Sequence, residues 1–291
     1  MKKYVICIPS STDFALSTAV LIYSLKKNLK VYNECDIKVQ YNDLNEASKN
    51  LIKKIKNDVI FEKPKDSSFY HHISETIYGS NNYDCYLSFE MFWQDGYQKS
   101  IYLDSDMLCV KDFSKIILEN KGGITWKVPN LGTVIVGEKI LGKDTYYKFI
   151  NTALNHYKND PMGDQNTLIH LYSNGKDVTT IGDEYNFQHW GGGGKGSNQN
   201  FLNNEDNIKI IHYSGRRKPW GGVYDGVDHN NKNCMSYPYM CYHSKAIKLW
   251  FKYYEEFKIN YLEPNTPFGR YQLTNKTIIK DNINGTGVSL S

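Results

Sequence analysis

The chain has 291 residues, 40% hydrophobic and 23% charged, which is enough to bury a large core as one big domain or one domain with an appendage. Its 35 basic and 31 acidic side chains leave a net charge of +4, too mild by itself to argue for a nucleic-acid or membrane-surface partner. No run of 18 apolar residues occurs, which argues against a transmembrane helix, and six cysteines without a C-x-x-C pair read as free thiols. The opening apolar run stops at Pro9-Ser10-Ser11-Thr12-Asp13. It therefore reads as a first strand over residues 3–8 rather than a signal peptide, and a cytoplasmic location is the default expectation. Residues 14–28 carry apolar side chains at helical spacing, with Leu16, Val20 and Tyr23 on one face. A strand is predicted at 36–41, a lysine-rich helix at 44–56, a short strand at 59–61, a helix at 83–93 and a strand at 100–103. This β/α alternation predicts an α/β fold with a mostly parallel sheet covered by helices. The second half is less regular: a strand at 133–136, helices at 144–157 and 164–172, a strand at 207–213 and an amphipathic helix at 243–257. The glycine-rich 191–196 stretch lacks the Ser/Thr that a phosphate loop needs after its G-K pair, so it reads as a lid or surface loop.

Three segments carry candidate chemistry. The run Ile101-Tyr102-Leu103 ends in Asp104-Ser105-Asp106. Carboxylates at the end of a buried strand are costly unless a cation compensates them, and the carboxyl ends of strands are where open α/β sheets bind ligands. The competing reading is an aspartate capping a turn at 107–112. The second segment runs Ile210-Ile211-His212 and then Tyr213-Ser214-Gly215-Arg216-Arg217-Lys218-Pro219-Trp220, one imidazole followed by a cationic cluster. Alone, the histidine reads more readily as a satisfied structural residue, and the three cations as a solvated turn or a nucleic-acid patch. Together with the two aspartates it makes a mixed oxygen and nitrogen set suited to Mn²⁺, with Mg²⁺ as the alternative, and a lysine for phosphate oxygens. The third is Pro161-Met162-Gly163-Asp164-Gln165, where a turn puts a carboxylate and an amide at a helix start. Plain N-capping by Asp164 is the other account.

In this order and spacing the segments resemble glycosyltransferase family 8, the glycogenin-like and lipopolysaccharide galactosyltransferase-like retaining glycosyltransferases. His212 to Trp220 matches the family's H-x-x-G-x-x-K-P-W at every fixed position. Asn130-Leu131-Gly132 resembles its N-x-G segment, Asp164-Gln165 its acidic-Gln pair, and Tyr185-Asn186 its Y-N pair. Ile8-Pro9-Ser10-Ser11-Thr12-Asp13-Phe14 resembles its nucleotide-holding loop. The resemblance runs from about residue 4 to 220. It implies a GT-A type nucleotide-diphospho-sugar transferase domain over 1–220, and a C-terminal extension over 221–291 with one helical segment.

It further implies metal ligation by Asp104, Asp106 and His212, with Mn²⁺ or Mg²⁺ as cofactor. Donor binding would fall to Ile8, Ser10, Ser11, Phe14, Asp104, Ser105, Asn130, Gly215 and Lys218. Asp164 and Gln165 would stand beside the transferred sugar as the catalytic pair. The implied activity is hexosyl transfer with retention from a nucleotide diphosphate sugar, UDP-glucose or UDP-galactose, to an acceptor the sequence does not identify. Two departures touch the donor site: Ser88 stands where the family carries Lys or Arg, and Phe14 where a tyrosine is common. The alternatives are the same chemistry on a modified nucleic acid base, which the modest net charge does not favour, or a nucleotide-sugar-binding protein without turnover.

Overall fold

The computed structural model describes residues 2–76, 83–157, 160, 162–172, 175, 177–189, 198–214, 218–220 and 244–262. The glycine-rich 191–196 stretch and Gly215 lie outside them, as does most of the 221–291 extension. The chain opens with β1 (Tyr4–Pro9), α1 (Ala15–Asn28), β2 (Cys35–Gln40), α2 (Glu46–Lys53), β3 (Ile60–Glu62) and α3 (Ser67–Thr76). A 3-10 helix over Tyr83–Phe92 leads into β4 (Lys99–Leu103), β5 (Met107–Cys109), α4 (Ser114–Glu119), β6 (Ile124–Lys127) and β7 (Asn130–Gly137). Then come α5 (Lys143–Thr152), a π turn (Ala153–Tyr157), α6 (Gly163–Tyr172), β8 (Val178–Thr180), β9 (Phe187–Gln188), α7 (Asn198–Asn204), β10 (Ile210–His212) and α8 (Lys245–Tyr261).

Seven strands form the main sheet in the order β3-β2-β1-β4-β7-β6-β8. All neighbours pair in parallel except β7, which runs antiparallel to both β4 and β6. The mostly parallel α/β sheet that alternation predicts is therefore present, with one reversed strand beside the central β4. Alternation along β1 divides the core. Ile6 and Ile8 face a cluster with α1, α2 and α8, while Val5 and Cys7 face a second cluster with the 3-10 helix and α5. The predicted helix over 83–93 is a 3-10 helix, and the predicted strand over 207–213 shortens to three residues. The turn proposed at 107–112 opens instead with strand β5, which leaves the main sheet and pairs in a small second sheet, β5-β10-β9. Three-residue strands such as β5 and β8 carry too little alternation to be read from sequence; partner strands create them.

Candidate active site

The carboxyl ends of β1, β2 and β4 share one edge of the sheet. Asp104 follows β4, and its N–H donates to the Gly132 carbonyl of β7 at 3.0 Å. Its carboxylate Oδ1 accepts from the buried Tyr102 hydroxyl at 2.7 Å. The chain then turns into β5, whose antiparallel pairing with β10 sets Met107 opposite His212. Tyr213 N–H extends that ladder to the Asp106 carbonyl at 2.9 Å. This pairing brings together residues more than a hundred apart in sequence. One ligand atom each from Asp104, Asp106 and His212 lies within 4.8 Å of the others. His212 Nε2 is 3.2 Å from Asp106 Oδ1 and 3.5 Å from Asp104 Oδ2.

A chain of hydrogen bonds fixes the imidazole. Gly132 N–H donates to Asn130 Oδ1 at 2.9 Å, so that oxygen is identified by a backbone donor. Asn186 Nδ2 donates to the same oxygen at 2.7 Å, which turns Asn186 Oδ1 toward His212. That oxygen lies 2.9 Å from His212 Nδ1, which must therefore carry the proton. Nε2 is left facing the two carboxylates, the tautomer a metal-binding histidine needs. Gly132 is required for a steric reason as well: a Cβ there would stand 2.5 Å from His212 Nδ1 and 2.8 Å from Met107 Cε. Oxygen and imidazole donors in this arrangement fit a divalent cation. The Asp104 side chain keeps 29% of its surface exposed and Asp106 11%, so the donors open outward.

The charges are coupled. Lys218 Nζ reaches Asp106 Oδ2 at 2.5 Å and donates to the Tyr213 carbonyl at 2.8 Å. Burial would raise the Asp106 carboxyl, but His212 and Lys218 outweigh it and hold it well below the ordinary carboxylate range. Burial likewise opposes charge on His212, and the two aspartates outweigh it and raise its pKa. Asp164, in the first turn of α6, has no such cation. Its side chain accepts from Ser88 Oγ at 3.3 Å, and burial with the nearby Asp104 charge raises its carboxyl to about 7. The start of α6 is held by Asp160, which accepts from Met162 N–H at 2.8 Å and from the Asn166 amide.

The other residues singled out from sequence are distributed as follows. Ile8 is fully buried in the core, so any donor contact from it would be through backbone. Ser10 Oγ bonds Thr18 Oγ1 at 2.8 Å, and Ser11 stands at the start of the same loop, its carbonyl accepting from Phe14 N–H. Phe14 packs edge-on against Trp220, ring centroids 6.0 Å apart, with Lys218 Nζ 6.0 Å from its ring. The loop after β1 and the Lys-Pro-Trp segment thus touch. Ser105 is nearly buried between the two aspartates. Gln165 is half-exposed, with Met162 Sδ 3.7 Å from its Nε2. Asn186 and Tyr102 were not among the candidate site residues; the Y-N resemblance marks Asn186, and nothing in the local sequence marks Tyr102. A separate groove of about 520 Å³, lined by Tyr185, Asn204 and Lys209 among others, lies toward the start of β10.

The mostly parallel sheet, with a carboxylate pair after its central strand and a histidine from a second small sheet beside it, has the GT-A fold. The chain belongs to glycosyl transferase family 8, whose model matches residues 5–125 and 134–223. Among solved structures, the galactosyltransferase LgtC in complex with donor and acceptor sugar analogues superposes with a TM-score of 0.63 at 12% identity, covering 87% of this chain and 95% of that one. The glycosyltransferase GlyE of Streptococcus pneumoniae TIGR4 superposes at 0.61 with 16% identity, covering 91% of this chain; the chain spans 63% of GlyE. The bifunctional glycosyltransferase WbbM gives 0.59 at 16% identity, over 94% of this chain and 52% of that one. No curated protein matches the chain in sequence. No described helix is long and apolar enough to cross a membrane.

Proposed function

We propose that the protein transfers a hexose from a UDP-sugar, glucose or galactose, with retention at the anomeric carbon, in a metal-dependent reaction. The convergence of Asp104, Asp106 and His212 Nε2 beside Lys218 carries this reading. When bound, Mn²⁺ or Mg²⁺ would supply Lewis-acid stabilisation of the departing diphosphate. Asp104, Asp106 and His212 would hold that cation, and Lys218 would place a second positive charge where negative charge develops on the leaving group. Ser10, Ser11, Phe14, Ser105, Asn130 and Gly215 would bind the nucleotide. Asp164 and Gln165 would orient the transferred sugar and the reacting carbon. The reading requires no enzyme nucleophile: in a front-face displacement the leaving phosphate helps to deprotonate the acceptor hydroxyl. LgtC was solved with donor and acceptor sugar analogues, and the family membership extends a sugar-like acceptor to this chain.

The test is a panel of nucleotide sugars with Mn²⁺, scored by nucleotide release. Release from one UDP-hexose, abolished by chelation and by Asp106→Ala, is the expected result. Undiminished turnover of Asp106→Ala in the presence of chelator would sink the metal assignment, and no release from any donor would sink the reaction.

A further inference from the structure

The hydrogen bond from Tyr102 to Asp104 is built by the sheet itself. Strand β4 ends at Leu103, but the Asp104 N–H donates to the Gly132 carbonyl and carries the ladder with β7 one residue further. The pleat therefore runs on, and Tyr102 and Asp104, two positions apart, project from the same face. On that face Tyr102 pairs with Cys7 of β1 on one side and Val134 of β7 on the other. All three belong to the second core cluster, where the tyrosine keeps 2% of its surface exposed. The ring is thus held in place, with its hydroxyl 2.7 Å from Asp104 Oδ1. An ionised carboxylate only accepts, so the hydroxyl donates. Among the described residues the Tyr102 hydroxyl has no other hydrogen-bond partner.

Each of the three side chains that converge here has its second polar atom engaged in this way. Asn186 Oδ1 holds His212 Nδ1 at 2.9 Å, Lys218 Nζ holds Asp106 Oδ2 at 2.5 Å, and Tyr102 holds Asp104 Oδ1. The atoms left over are His212 Nε2, Asp106 Oδ1 and Asp104 Oδ2. Nε2 lies 3.2 Å from the first oxygen and 3.5 Å from the second. A carboxylate can hold a cation through one oxygen or through both. With Oδ1 engaged by a buried donor, Asp104 offers Oδ2 alone.

We propose that Tyr102 is a positioning residue that makes Asp104 a one-oxygen ligand, and that this biases the site toward Mn²⁺ or Mg²⁺ and against Ca²⁺. The inference rests on the reading that Asp104, Asp106 and His212 hold a divalent cation. Ca²⁺ is the larger ion. It takes about six to eight oxygens and readily accepts both oxygens of one carboxylate, whereas an ion with a tight octahedral sphere is served by single oxygens. Tyr102→Phe frees Oδ1, and with it the two-oxygen mode.

The test uses the full chain without nucleotide. Mn²⁺ binding is read from the loss of the free-ion paramagnetic resonance signal, and Ca²⁺ is then titrated as a competitor. Tyr102→Phe keeps the buried ring and leaves no polar group unpaired on its own side. The preference between the two ions is measured within one sample, so a partly unfolded preparation does not move it. The expected result is that Tyr102→Phe weakens Mn²⁺ about tenfold and Ca²⁺ distinctly less, so that the preference for Mn²⁺ falls about threefold or more. Asp104→Ala is the control for the underlying reading. Mn²⁺ binding that survives Asp104→Ala overturns the ligand assignment and this inference with it. Where Asp104→Ala removes binding, but Tyr102→Phe leaves Mn²⁺ affinity unchanged or weakens both ions in equal proportion, the ligand assignment stands and the role of Tyr102 is overturned.

Discussion

At the scale of single residues, the site depends on side chains that touch no ligand atom. Asn186 holds the His212 proton on Nδ1 through one carboxamide oxygen, itself turned by Asn130 and Gly132. Asn186→Ala should lower Mn²⁺ affinity by about 10- to 100-fold while leaving the fold intact, measured by metal titration of the purified protein. Gly132→Ala brings a methyl against the imidazole and Met107, and should cost about 1–3 kcal/mol in the urea midpoint as well as metal affinity. Asp164 predicts a pH dependence. Its folded carboxyl, at about 7, lies above the ordinary 3.8. The folded state therefore binds more protons than the unfolded one between those values. Stability should fall as pH rises from about 4 to about 7, by at most about 4 kcal/mol, and level off above that. Asp164→Asn should reduce the slope, measured by urea denaturation in chelator across that range; the raised Asp104 and Glu90 carboxyls contribute the remainder with the same sign.

At the scale of elements, two packing contacts set the site. The first turn of α6 lies against the 3-10 helix because Gly163 leaves room for Tyr86: a Cβ there would stand 1.9 Å from the Tyr86 hydroxyl. That hydroxyl donates to the Tyr157 carbonyl at 3.1 Å. Gly163→Ala should push α6 outward, carry Asp164 from Ser88 and destabilise by about 1–3 kcal/mol. Tyr86→Phe should recover part of that loss in a double-mutant cycle. The second contact is α8 on α1. Trp250 stacks on Tyr254 and meets Trp220 at 5.3 Å, while Trp220 meets Phe14. A helix remote from the D-x-D in sequence thus backs the Lys-Pro-Trp segment. Trp250→Ala should cost about 3–5 kcal/mol by thermal or urea unfolding. The period-3.6 pattern predicts α8 closely, at 243–257 against Lys245–Tyr261 observed. The same reading misses β5, which exists because β10 pairs with it.

At the scale of the whole molecule, the site's chemistry was legible and its geometry was not. The apolar run before Asp104 and the spacing from His212 to Trp220 marked the donor atoms, because both rest on residue type along a short stretch of chain. Sequence alone determined an α/β chain with an acidic strand end, one late histidine and a nearby lysine. Only the tertiary structure decided that they meet. Strand β5 leaves the main sheet for β10, a long-range pairing with almost no local signal, and that register alone puts Met107 opposite His212. Which imidazole nitrogen faces the carboxylates was decided by contacts among Gly132, Asn130 and Asn186. Lys53, Lys54 and Lys56 read in sequence as part of a lysine-rich helix, and Lys26 as part of the helix before it. They form a hollow only because α1 and α2 end side by side at the sheet's amino edge.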